Sequence, residues 1–183
     1  SDIKKFWEGV ILPSLYTVGY MWESAQISVG EEHIATSICQ RVMAEHYEKI
    51  LRNIKHDTNI IVTTSPNESH EVGSRMLADI LELHGYDITF LSSKTPTSEI
   101  IELIGEDEVD YIIISTTLVS NIPQTKDLIK DIRQNYPDTS LKIIIGGQAY
   151  SDPKMANTVT GADYCLSGVD ELLKLLKGSL KDD

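Results

Sequence analysis

From Asp57 onward the sequence alternates short apolar runs with amphipathic stretches, and this alternation limits the fold more than any other feature. Strands are expected at Asn59–Thr64, Asp87–Leu91, Tyr111–Ser115, Leu141–Ile145 and Ala162–Leu166. Four of these are Val-, Ile- or Leu-rich runs, as strands covered on both faces must be. Helical periodicity fills the intervals at about 70–84, 97–105, 122–135, 150–158 and 169–179. Gly85 stands where a C-cap glycine belongs, and Pro123 where a helix opens. Successive βα units make a doubly wound parallel sheet, because parallel neighbours need a crossover and the crossover helices cover both faces. Such a sheet binds ligands beyond the carboxyl ends of its strands, so the loops after each strand are the ones to read for chemistry.

The simplest strand order for this α/β part, residues 57–183, is that of a five-stranded flavodoxin-like sheet. Residues 1–56 follow a helical pattern instead. Ile3, Phe6, Trp7, Val10, Ile11, Leu15, Val18, Met21 and Trp22 recur at steps of three and four. Pro13 interrupts that run and predicts a kink or a fresh helix start. Ser28-Val29-Gly30-Glu31 is a capping box for a second helix, whose expected apolar stripe is Ile34, Ile38, Val42, Met43, His46, Tyr47 and Ile50. Two helices bury little alone, so this part is expected to be a helical cap drawn from a four-helix bundle whose first pair lies outside the sequence.

Composition narrows the partners. The 183 residues carry 16 basic and 28 acidic side chains, a formal charge of −12. A phosphate-tracking surface needs clustered Lys and Arg, so direct nucleic-acid contact by this chain is not expected. No apolar run is long enough for a membrane span, and the first residues lack a secretory apolar segment, which together suggest a cytoplasmic protein. Cys39 and Cys165 lie far apart and read as inert thiols. His46 reads as a core histidine, His56 and His84 as helix-end cations, and Trp7 as packing.

The strand-end loops exclude the familiar nucleotide sites. Gly-x-Gly-x-x-Gly, a Walker Gly-Lys-Ser/Thr and Gly-x-Ser-x-Gly are all missing. Ser115 and Thr116 end the third strand where a phosphorylatable receiver would carry Asp. The first loop instead places His70 between a strand and a helix, within Glu68-Ser69-His70-Glu71-Val72-Gly73. The third strand closes on Ser115-Thr116-Thr117-Leu118 and the fourth on Gly146-Gly147. Small side chains at these ends would leave a deep narrow slot, and Gly73 would let a ligand run close beside the first helix.

Glu68-x-His70-x-x-Gly73, Thr116-Thr117-Leu118 and Gly146-Gly147 together resemble the Asp-x-His-x-x-Gly, Ser-x-Leu and Gly-Gly signature of cobalamin-binding domains, over roughly residues 57–180. The resemblance implies cobalamin, a cobalt corrinoid, as cofactor. It implies His70 as lower axial cobalt ligand in place of the cofactor's own base, whose freed nucleotide tail fills the slot lined by Ser69, Gly73, Ser115, Thr116, Thr117, Leu118, Gly146 and Gly147. Neutral imidazole suits cobalt, and a neighbouring carboxylate fixes the ring. This sequence departs from the pattern at Glu68, one methylene longer than the usual Asp, and at Thr116, which stands for Ser.

In the helical part, Trp22, nine intervening residues and then Glu32-His33 resemble the upper-face cap of cobalamin-dependent light-sensing regulators. In those regulators a histidine follows the Trp; here the residue is Glu23, which argues against a light-switched bis-histidine state. Three functions stay open: a sensor or carrier module read by a partner or an N-terminal output segment, a methyl-carrying corrinoid protein working with methyltransferase partners, and a flavodoxin-like domain without corrinoid. In none of them is the chain expected to be a catalyst alone.

Overall fold

The computed structural model describes residues 2–47, 56–106, 108–137 and 140–178. The chain forms two compact units, Ser1–Asn53 and Ile54–Asp183.

In the first unit, α1 (Asp2–Phe6) runs into a π-helical segment (Trp7–Ile11) and then α2 (Leu12–Glu23). The wide turn has a local cause: Pro13 cannot donate to the carbonyl four residues back, and its ring pushes that carbonyl aside. Trp7 and Ile11, in this segment, are buried, as the expected packing role of Trp7 requires. α3 (Val29–His46) opens with the predicted capping box, in which Ser28 Oγ accepts from the Glu31 amide at 3.2 Å and Glu31 accepts from the Ser28 amide at 2.8 Å. The expected stripe of α3 needs correction. Cys39 and Met43 are its buried residues, whereas Ile34 is 62% and Ile38 58% exposed. α2 beside it covers only a narrow strip of α3, which keeps Val42, Met43 and His46 of the predicted stripe but takes in Cys39 and leaves Ile34 and Ile38 outside. His46 lies in the covered strip, its Nδ1 2.8 Å from the Val42 carbonyl and its ring 5.9 Å from that of Phe6. Ile50 lies outside the described residues.

The second unit is a five-stranded parallel sheet in the order β2-β1-β3-β4-β5. Its strands are β1 (Asn59–Thr64), β2 (Asp87–Phe90), β3 (Tyr111–Ser115), β4 (Lys142–Gly146) and β5 (Tyr164–Leu166). Side chains alternate across the sheet. Ile60 and Val62 of β1, Ile113 of β3 and Ile144 of β4 pack with α4 (Val72–His84) and α8 (Val169–Leu176) on one face. Ile61, Ile112, Ile114, Ile143 and Ile145 pack on the other face with α5 (Thr97–Glu106), α6 (Ile122–Asn135) and the short α7 (Pro153–Ala156). α4 begins at Val72, so His70 is in the loop and not in the helix expected from residue 70. The expected helix 150–158 shrinks to α7 preceded by a 3-10 turn at Gln148–Tyr150. Gly85 caps α4 in the left-handed conformation, φ 93°, as its position predicted.

β1 is the switch point. The chain leaves it toward β2 on one side and returns as β3 on the other, so the loops after β1 and β3 diverge there and open a crevice.

α4 also holds Asp79, a buried carboxyl whose pKa burial pushes up to about 7, with Arg75 lowering it and Glu82 raising it. A pKa raised on folding means stability that is present below the unfolded value of 3.8 and lost as pH rises through about 7. D79N is therefore expected to stabilise the protein by up to about 4 kcal/mol near pH 8 and to change little near pH 3. Urea unfolding at the two pH values checks this.

Candidate functional site at the carboxyl ends of β1, β3 and β4

A buried carboxylate organises the site. Glu68, 0% exposed, lies in the loop between β1 and α4. Its Oε1 accepts from the His70 amide at 3.1 Å and lies 2.5 Å from His70 Nδ1. Its Oε2 accepts from the amides of Thr117 and Leu118 and from Asn121 Nδ2, all at 3.0 Å. Burial alone would raise the Glu68 pKa, but the hydrogen bonds from His70, Leu118 and Asn121 outweigh it and hold the carboxyl at about 2. The extra methylene of Glu68 therefore does not cost the bond to His70; it gives the carboxylate the reach to hold the β3 loop as well. An ionised Glu68 accepts the Nδ1 proton, so in the neutral ring Nε2 is the nitrogen that carries the lone pair. The His70 side chain is held at Nδ1 and is 47% exposed.

The backbone register separates the strand-end hydroxyls by face. Register pairs Thr64 with Ser115, Ser115 with Gly146, and Gly146 with Leu166, a single row across the carboxyl edge. It lies two residues beyond the row of Val62, Ile113, Ile144 and Tyr164, so it shares the α4/α8 face. Ser115 is thus on the slot face. Thr116, expected there, is on the other face: fully buried, its Oγ1 2.9 Å from Thr125 Oγ1 and 3.3 Å from Tyr150 OH. The role expected for Gly147 also changes. With φ 106°, it packs where a Cβ would lie 2.4 Å from the Thr116 carbonyl oxygen, so its missing side chain is taken up by the β3 loop and not by open space. Gly146 approaches the Leu166 carbonyl in the same way, at 3.0 Å for a Cβ. Gly73 alone of the three is open: it shares the inward stripe of α4 with Leu77 and Leu81, and a Cβ there would meet nothing within 4 Å.

Ser69 is exposed, Leu118 exposed and Thr117 half-buried. In the helical unit, Trp22 ends α2 exposed, and Glu32 Oε2 contacts His33 Nδ1 while Oε1 accepts from Thr36 Oγ1 at 2.7 Å. Sequence reasoning missed Asn121, Thr125, Tyr150 and Thr64. Asn121 alone carried a local signal, an Asn directly before the Ile122-Pro123 helix start, where it serves Glu68 in place of capping the helix.

The residues suit a corrinoid: a single imidazole with a fixed tautomer, a helix start with an open glycine, and a buried Thr64 hydroxyl with no partner on the slot face. Among the described residues, no group of three or more His, Cys, Asp or Glu side chains could hold a metal ion. The B12 binding domain family matches residues 58–175, and a second B12 binding domain profile matches residues 1–45. The chain belongs to the B12-binding family. Its cofactor is cobalamin.

Among relatives of this B12-binding protein, the HTH-type transcriptional repressor CarH of Myxococcus xanthus is 25% identical over 146 residues, 79% of this chain and 48% of CarH. Monomethylamine corrinoid protein 1 of Methanosarcina mazei is 23% identical over 92% of this chain and 79% of its own length. Methionine synthase of Mycobacterium tuberculosis is 21% identical over 91% of this chain. The chain thus spans about half of CarH and 14% of methionine synthase. The fold is that of the Methanosarcina barkeri monomethylamine corrinoid protein, with TM-score 0.76 at 20% identity over 91% of this chain and 78% of the other. A cobalamin-binding protein from Desulfitobacterium hafniense gives TM-score 0.60 at 19% identity over the same shares. No described helix is long and apolar enough to cross a membrane.

The Glu68 carboxylate supplies a test. Its folded pKa of about 2 lies below the ordinary 4.5, so its stabilisation is complete above 4.5 and is lost as pH falls toward 2. E68Q is expected to be less stable than wild type by about 3 kcal/mol at neutral pH, the gap closing across that window. Denaturant titrations over the pH series measure it.

Proposed function

We propose that the α/β unit holds cobalamin with its own lower base displaced, His70 Nε2 being the lower cobalt ligand, and that the chain serves as a sensor or carrier module whose cofactor state a partner reads. The observation that carries this is the Glu68–His70 pair. A half-exposed imidazole whose Nδ1 is bound to a buried carboxylate presents its other nitrogen in one orientation and with raised basicity, the arrangement a metal-ligating histidine needs. The nucleotide tail would run along the row Thr64–Ser115–Gly146–Leu166 past Gly73. Bound corrinoid supplies a cobalt centre able to carry and release an alkyl group. What the chain does is orient His70, keep its tautomer, and hold the β1 and β3 loops together while the lower bond is made or broken. Exposed Trp22 and the Glu32–His33 pair are proposed to shield the upper axial group, on the sequence resemblance and on the exposure of Trp22.

A second reading is a methyl-carrying corrinoid protein that works with methyltransferase partners in the cytoplasm. It is favoured by Glu23, which stands where the light sensors carry a histidine, and by alignment with monomethylamine corrinoid proteins over nearly the whole chain.

Reconstituted protein reduced to Co(II) should show nitrogen hyperfine splitting from His70 in its electron paramagnetic resonance spectrum. H70A should lose the splitting while still retaining colour through gel filtration. Identical spectra for the two proteins would remove His70 from the role. E68Q is expected to weaken corrinoid retention by about 10–100-fold. Illumination separates the two functional readings: a light-triggered change of oligomeric state with adenosylcobalamin supports sensing, and turnover of methylcobalamin with a methyl acceptor and partner enzyme supports carriage.

A further inference from the structure

We propose that the Thr64 hydroxyl is a binding group for the nucleotide tail of the corrinoid, completing its hydrogen bonding only when the tail lies between the carboxyl edge of the sheet and the first turn of α4. The inference rests on the corrinoid reading above and adds to it a contact with the tail.

Thr64 is the last residue of β1 and 2% exposed, and its Oγ1 is shielded without a hydrogen-bond partner. The fold does not ask for it. Valine has the same shape, suits a buried strand better and carries no polar atom to strand there. The other hydroxyls at this end of the sheet show the contrast. Thr116 and Thr125 are equally buried, but on the opposite face they satisfy each other and Tyr150 within the protein. Thr64 and its register partner Ser115 sit side by side on the slot face, and the Ser115 side chain likewise makes no hydrogen bond among the described residues. α4 packs on this same face through Leu77 and Leu81, and one turn before Leu77 it has Gly73, where an added Cβ would meet nothing within 4 Å.

A ligand group reaching Thr64 must therefore be slender enough to slide between the sheet and the start of α4, and must bring hydrogen-bonding atoms to two adjacent hydroxyls. The nucleotide tail, with its heterocyclic base, ribose and phosphate, is the part of a corrinoid with that chemistry. A hydroxyl can donate to it or accept from it.

The test uses T64V and T64S in the full chain, with three measurements: unfolding without corrinoid, affinity for cobalamin, and affinity for cobinamide, which lacks the nucleotide tail. T64V is expected to be at least as stable as wild type without ligand, to bind cobalamin about tenfold more weakly, the worth of one hydrogen bond, and to bind cobinamide unchanged. T64S should keep wild-type affinity for cobalamin. A T64V that is less stable without ligand would overturn the proposal, since the hydroxyl would then have a partner in the protein. Unchanged cobalamin affinity, or equal losses for both corrinoids, would overturn it too. If wild type retains neither corrinoid, the underlying cofactor reading fails and takes this contact with it. If wild type shows the His70 signature and T64V binds normally, only the Thr64 contact fails.

Discussion

A single buried negative charge holds the site together. Glu68 is sealed from solvent and accepts five hydrogen bonds, two from His70 and three from the segment Thr117–Asn121. A carboxylate in such a place is tolerated only because every donor around it is aimed at it, and charge-assisted bonds are the strong ones. The loops after β1 and β3 diverge at the switch point of the sheet, and this anchor ties them together along with Ser65, whose Oγ donates to the Asn121 carbonyl at 2.9 Å. The position of His70 is thus a property of both loops. The imidazole and Asn121, at the start of α6, are bonded to the two oxygens of this one carboxylate.

The two faces of the sheet treat polarity differently at their carboxyl edge. Behind β3, the hydroxyls of Thr116, Thr125 and Tyr150 close on one another, and burial also pushes the Tyr150 phenol up so that it stays a donor. Gly147 makes that closure possible by letting the β4 loop lie against the Thr116 backbone. In front, on the α4/α8 face, the buried Thr64 hydroxyl has no such partner. The rear network fixes the loops; the front leaves groups for something else to complete.

Much of this was legible in the residue order. Short β-rich runs and amphipathic intervals announced the doubly wound sheet, and Gly85 and the Ser28–Glu31 box marked helix ends correctly because those signals are local. The motif around Glu68, His70 and Gly73 was visible as well. What could not be read depended on tertiary neighbours. The face taken by a strand-end residue flips with a one-residue shift, which is why Ser115 and not Thr116 shares the α4/α8 face. The buried strip of α3 depended on which helix lay beside it, so Ile34 and Ile38 proved exposed and Cys39 buried. Asn121 finds its role only through a carboxylate 53 residues away.

Those separations bear on how the protein comes into being. The bonds from Thr117, Leu118 and Asn121 to Glu68 span 49, 50 and 53 positions. They can form only after β3 has docked beside β1, a non-local pairing that carries a large loop-closure cost. On an elongating chain, His70 is therefore made long before it is positioned. The Glu68–His70 pair reaches its described setting only with the closing of the β1–β3 seam.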